Sequence, residues 1–77
     1  MERVLFDYSK LTGRIREKFG TQKKFAEAIG KNPVTVSLKL TNKRYFDQQD
    51  IVQAVGALEI SPEDVTSYFF TQRLKIY

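Results

Sequence analysis

Gly30 and the pair Asn32-Pro33 interrupt the most regular stretch of this 77-residue chain, Thr21 to Lys43, and settle its shape. Proline disfavours helical backbone in the residue before it and sits comfortably in a first turn, so Asn32 caps a helix that Pro33 begins. Gly30 closes the preceding helix, where a left-handed residue is wanted and a Cβ is not. That helix runs from Gln22 to Ile29 behind a Thr21 cap, with Phe25, Ala26 and Ile29 on one face. In the next helix Val36 and Leu40 form the inner face, which leaves Pro33, Val34, Thr35, Ser37 and Leu38 at or near its outer, N-terminal side. Two short helices set at an angle by a tight turn make a helix-turn-helix.

The flanking segments supply the other helices. Asp7 or Ser9 caps a first helix to about Phe19, with Leu11, Ile15 and Phe19 as its buried stripe. Gly13 within it costs about 1 kcal/mol relative to alanine, which points to close packing there or a later start. Gly20 ends it. After the polar loop Thr41 to Phe46, Asp47 caps a fourth helix reaching about Leu58, with Ile51, Val52, Val55 and Leu58 facing inward. Ser61-Pro62-Glu63-Asp64 restarts the chain with a cap, a first-turn proline and acids that suit the helix dipole, giving a fifth helix from Pro62 to about Phe69. The tail from Thr71 to Tyr77 alternates like a strand, and Met1 to Phe6 is β-favourable. A strand needs a partner, which is either Arg3 to Phe6 of the same chain or the same tail of a second subunit. The expected fold is therefore all-α, a five-helix domain over residues 1–77 with short terminal strands at Arg3 to Phe6 and Arg73 to Tyr77.

Composition excludes more than it selects. A chain of this length buries only about 60 to 65% of its unfolded surface, so its core is thin. Having neither cysteine nor histidine, it has no disulfide or thiolate metal site to reinforce that core. No nucleophile-base or metal constellation can be assembled from the scattered carboxylates, so neither an enzyme nor a cofactor is expected. No apolar run is long enough to span a bilayer, and a soluble, cytoplasmic protein without a membrane partner is the default. Charge is unevenly placed. Lys10 to Arg44 carries ten basic residues against two acidic ones, whereas the rest of the chain carries three against seven. A small domain with one cationic side attracts a polyanion.

Gln22, Ala26, Gly30 and Val36 stand at the spacing of the Cro and phage-repressor class of helix-turn-helix proteins, the xenobiotic-response-element family, and the chain resembles that family from about Leu11 to Phe69. The resemblance implies a lambda-repressor-like domain in which the glutamine meets DNA phosphate, the small residue lets the helices approach, the glycine turns the chain and the branched residue anchors the recognition helix. Lys39 departs from the pattern, since many members have an apolar residue there. The roll of the recognition helix is left open by it.

On this reading the chain is a Cro-like repressor binding double-stranded operator DNA. Thr21, Gln22, Lys23, Lys31, Lys43 and Arg44 are the phosphate candidates, and Asn32, Pro33, Val34, Thr35, Ser37 and Leu38 the base-reading candidates. The outer face lacks arginine or glutamine for purines, so Pro33, Val34 and the Thr35 methyl point to thymine methyl contacts. A module this small reads few base pairs, which calls for a homodimer, with Phe70, Leu74 and Ile76 of the C-terminal region as its contact. Each assignment has a plainer rival: solvated lysines, an Asn32 that is only a cap, aromatics that belong to the core. The alternative function is a protein-binding module of the same fold that engages another repressor or an anti-repressor partner through Pro33, Val34 and Leu38.

Overall fold

In the computed structural model, which describes residues 4–73, the helices start and stop where neighbouring groups satisfy the orphan amides and carbonyls of their ends. The first, α1 (Ser9–Phe19), begins beside Asp7, whose carboxylate accepts from the Ser9 amide at 2.9 Å and the Ser9 hydroxyl at 2.6 Å. Those two bonds hold the Asp7 carboxyl below its ordinary pKa. α1 ends on Gly20 in the left-handed region, φ +81°. Next, α2 (Gln22–Ala28) is capped by the Thr21 hydroxyl, which accepts from the Lys24 amide at 3.1 Å. It closes through Gly30 at φ +69°, with the Lys31 amide on the Ala26 carbonyl at 2.9 Å and the Gly30 amide on that of Glu27 at 3.2 Å, the paired bonds of a Schellman ending.

Asn32 Oδ1 accepts from the Val34 amide at 2.8 Å and opens α3 (Pro33–Leu40). The same ending recurs there with Asn42 in the left-handed place, φ +66°, and the Lys43 amide on the Leu38 carbonyl at 2.9 Å. In α4 (Gln48–Leu58), Asp47 and Asp50 cap each other reciprocally. A single 3-10 turn over Pro62–Asp64 leads into α5 (Val65–Phe69).

These helices share one buried cluster. Leu11 and Ile15 of α1, Phe25 and Ala26 of α2, Val36 of α3, Ala54 and Leu58 of α4 and Phe69 of α5 all lie in it. Each large side chain buried there contributes about 1.5–3 kcal/mol, so few residues carry the fold. Arg14 adds a polar tie between α1 and α4, donating to the Leu58 carbonyl at 3.0 Å.

The all-α architecture of five helices agrees with expectation; several details do not. Val52, assigned to the inner face of α4, is 65% exposed. Leu58 is buried as expected and Ile51 and Val55 are half-buried against the core, while the other fully buried positions of α4 are Ala54 and Asp50, which lies under two lysines. The fifth helix splits into the 3-10 turn and a five-residue α5, and the Ser61 side chain makes no cap bond there. Gly13 is exposed with nothing within 4 Å of where its Cβ would lie, although α1 already includes it, so neither close packing nor a later start explains it.

The terminal strands reduce, among the described residues, to one antiparallel bridge between Phe6 and Gln72. It is flanked by bonds from the Asp7 amide to the Thr71 carbonyl at 2.7 Å and from the Arg73 amide to the Leu5 carbonyl at 2.8 Å. Of the two pairings expected, this is the one within the chain. Arg3, Leu74, Ile76 and Tyr77 lie outside the described residues.

Candidate functional site

Lys39 decides how α3 sits. Its side chain is only 14% exposed and its ammonium bonds the Asp50 carboxylate, which is 3% exposed, while Lys31 reaches the other carboxylate oxygen at 3.5 Å. Burial pushes the Asp50 carboxyl up, but the Lys39 hydrogen bond, the Asp47 amide and the charges of both lysines outweigh it and hold the carboxyl below its ordinary pKa. The inner face of α3 is thus Val36, Lys39 and Leu40, spaced by three and four, with an ion pair where the resemblance leads one to expect an apolar contact. Val34 is left pointing outward at 67% exposure.

The sequence-predicted site residues fall into two groups. Thr21, Gln22, Lys23, Lys43 and Arg44 are exposed; Lys31 is half-buried and drawn to Asp50. Asn32 spends its side-chain oxygen on the Val34 amide, as a cap does. Pro33, Thr35, Ser37 and Leu38 are half-buried. The outer side of α3 therefore offers Val34 as its one large exposed apolar group among the described residues, backed by Lys43 and Arg44, whose amides both bond the Leu38 carbonyl. The cationic surplus of this half of the chain is partly spent inside the molecule. Arg14 pairs with Glu17, Lys18 with Glu59, Lys31 and Lys39 with Asp50, and the Lys10 ammonium lies 4.6 Å over the Tyr68 ring.

A larger apolar surface lies elsewhere. The N-terminal segment, the loop before α4 and the end of α5 enclose a groove of about 340 Å³ lined by Val4, Phe6, Tyr8, Tyr45, Phe46, Ile51, Phe69 and Phe70. Phe6 is its hub, with ring centres 6.1 Å from Tyr8, 6.0 Å from Tyr45 and 6.2 Å from Phe70. Tyr8 continues to Phe46 at 5.3 Å, and Phe46 to Phe69 at 5.5 Å, both edge-to-face. Burial and the neighbouring Tyr45 raise the Tyr8 pKa, so its hydroxyl stays protonated. A second groove, of about 410 Å³, continues over Gln48, Ile51, Val52, Val55, Pro62 and Val65 and shares Ile51 and Phe70 with the first. Val4, Tyr45, Val52 and Phe70 are exposed along the two. Sequence reasoning gave the aromatics to core and dimer and Val52 to the core, so it missed this surface. It did hold that Phe69 and Phe70, being adjacent, cannot both enter one core and that one is left for an interface, and Phe69 is buried while Phe70 is 50% exposed.

Among the described residues no group of acidic, cysteine or histidine side chains could hold a metal, and no helix is long and apolar enough to cross a membrane.

Comparison with known proteins revises the assignment made from the motif. The profile of a family described as protein of unknown function, DUF739, matches residues 4–72. Among solved structures the chain is similar to the modulator of repression (MOR) of the temperate bacteriophage TP901-1 from Lactococcus lactis. The two are 49% identical, with a TM-score of 0.76 over 84% of this chain and 88% of that one. No curated protein matches. The resemblance to Cro and the phage repressors is thereby corrected as a statement of family. Thr21, Gly30, Asn32 and Pro33 encode a bent helix pair, and that geometry is indifferent to what the outer face of α3 touches.

Two further expectations fall with it, operator DNA as the partner and a homodimer through Phe70, Leu74 and Ile76, because the similar protein is named for modulating repression. The physical reasons are local. Several of the cations counted toward DNA are paired internally, and the backbone of residues 71–73 bonds residues 5–7 of its own chain.

Proposed function

This chain belongs to the DUF739 family, and we propose that it is a phage-type modulator of repression, a binding module that engages a repressor protein. The name of its structural relative supports this reading. The observation that carries it here is the pair of joined apolar grooves on a small protein with little apolar surface to spare. Val4, Tyr45, Val52 and Phe70 lie exposed along the two grooves, and the aromatic lining suits the anchors that dominate protein interfaces. Val34 on α3 offers a second apolar contact.

Titration calorimetry of the chain against the repressor from the same phage genome tests the proposal. A saturable complex is expected. Val52→Glu, which alters a 65% exposed side chain, should leave the melting midpoint nearly unchanged and weaken the complex at least tenfold. No complex at micromolar concentrations, together with a shift of duplex operator DNA by the chain alone at moderate salt, would overturn it.

A further inference from the structure

The wall of the aromatic groove is a segment without regular structure, so something must hold it in place. One edge of Leu5 to Asp7 bonds to residues 71–73, through the Leu5 carbonyl and the Asp7 amide. The amide and carbonyl of Phe6 point the other way, as they must in an extended chain. Both meet one side chain: Asn42 Oδ1 accepts from the Phe6 amide at 2.8 Å, and Asn42 Nδ2 donates to the Phe6 carbonyl at 2.9 Å. The Tyr45 hydroxyl, three residues on, donates to the Val4 carbonyl at 2.9 Å.

Asn42 is 6% exposed and stands at the left-handed end of α3, where conformation alone favours glycine. The corresponding residues of α1 and α2 are glycines, Gly20 and Gly30. Asparagine tolerates that backbone and also presents a donor and an acceptor side by side; aspartate lacks the donor and glycine lacks both.

We infer that Asn42 is a positioning residue for the docking groove: by gripping both polar groups of Phe6 it sets the ring around which Tyr8, Tyr45 and Phe70 pack, without meeting the partner itself. The inference rests on the groove being the docking surface proposed above. Released from Asn42, the wall samples arrangements in which the groove is not formed, and apparent affinity falls in proportion to the fraction of time it is formed.

Asn42→Gly separates this role from helix capping, since glycine keeps the left-handed end and removes only the clamp. Ile15→Val, a core change in α1, serves as a control for stability loss. In Asn42→Gly the Phe6 amide should exchange with solvent at least tenfold faster, the Phe6 and Tyr45 ring resonances should shift, and binding of the same phage repressor should weaken about tenfold. Ile15→Val should lower the melting midpoint and keep wild-type binding. A Phe6 amide that stays protected in Asn42→Gly overturns the clamp. Wild-type affinity with an unprotected Phe6 amide overturns the positioning role while leaving the docking surface intact. A wild-type chain that binds no repressor removes the docking reading itself and the positioning role with it, whatever exchange shows.

Discussion

Replacing Asp50 with alanine tests the contact that orients α3 against α4. The carboxylate has two jobs, accepting from the Asp47 amide at 3.0 Å in the reciprocal cap and balancing the ammonium groups of Lys39 and Lys31. Loss of a cap interaction costs about 1 kcal/mol. Leaving a buried charge without its partner costs about 3–5 kcal/mol. Here that is reduced to roughly 2 kcal/mol, because the long lysine stem lets the ammonium swing toward water. The sum, about 3 kcal/mol, is a large part of what a domain of this size possesses, and corresponds to a fall in melting midpoint of roughly 12–24 °C.

Urea unfolding followed by far-ultraviolet circular dichroism measures it. Lys39→Met should cost less than about 1 kcal/mol, since Asp50 keeps Lys31 and the Asp47 amide and an apolar chain fills the space. Combining Lys39→Met with Asp50→Asn should recover most of the loss, as the side-chain oxygen can still accept from Asp47, the more buried ammonium is gone, and Lys31, with a side chain 31% exposed, can turn to water. The reasoning is refuted if Asp50→Ala lies within about 1 kcal/mol of wild type, or if the double variant is no more stable than Asp50→Ala.

The depressed pKa of Asp50 sets the sign of an acid effect: its stabilisation is whole above the unfolded value of about 4 and is lost as pH falls through the lower folded value. Melting midpoints measured from pH 6 to pH 2 should therefore drop less in Asp50→Asn than in the wild type. Gly13→Ala should stabilise α1 by about 1 kcal/mol, because the added methyl meets nothing within 4 Å; a lower midpoint in a thermal melt would contradict this. Gly30→Ala also meets nothing, yet its φ of +69° makes alanine cost about 1 kcal/mol, so the two substitutions should shift urea midpoints in opposite directions.

Local rules were legible in the residues wherever one residue type has one conformational use. Thr21, Asn32-Pro33 and Asp47 start helices, Gly20 and Gly30 end them, and the spacing of Leu11, Ile15, Phe25 and Val36 faces them inward. These preferences act over three or four residues, and one chain read in order displays them. Groups far apart in the chain answer to nothing of that kind. Asp50 is as hydrophilic as any carboxylate, and only the approach of α3 made it a buried partner for Lys39 and turned Val52 to the surface. Asn42 reads as a loop residue until Phe6, 36 positions earlier, arrives to take both its hydrogen bonds. The docking groove is of the same kind. Adjacency alone said that Phe69 and Phe70 could not both enter one core, but it took tertiary packing to bury Phe69 in one cluster with Phe25 and to bring Phe70 together with Val4, Phe6 and Tyr45 along one groove.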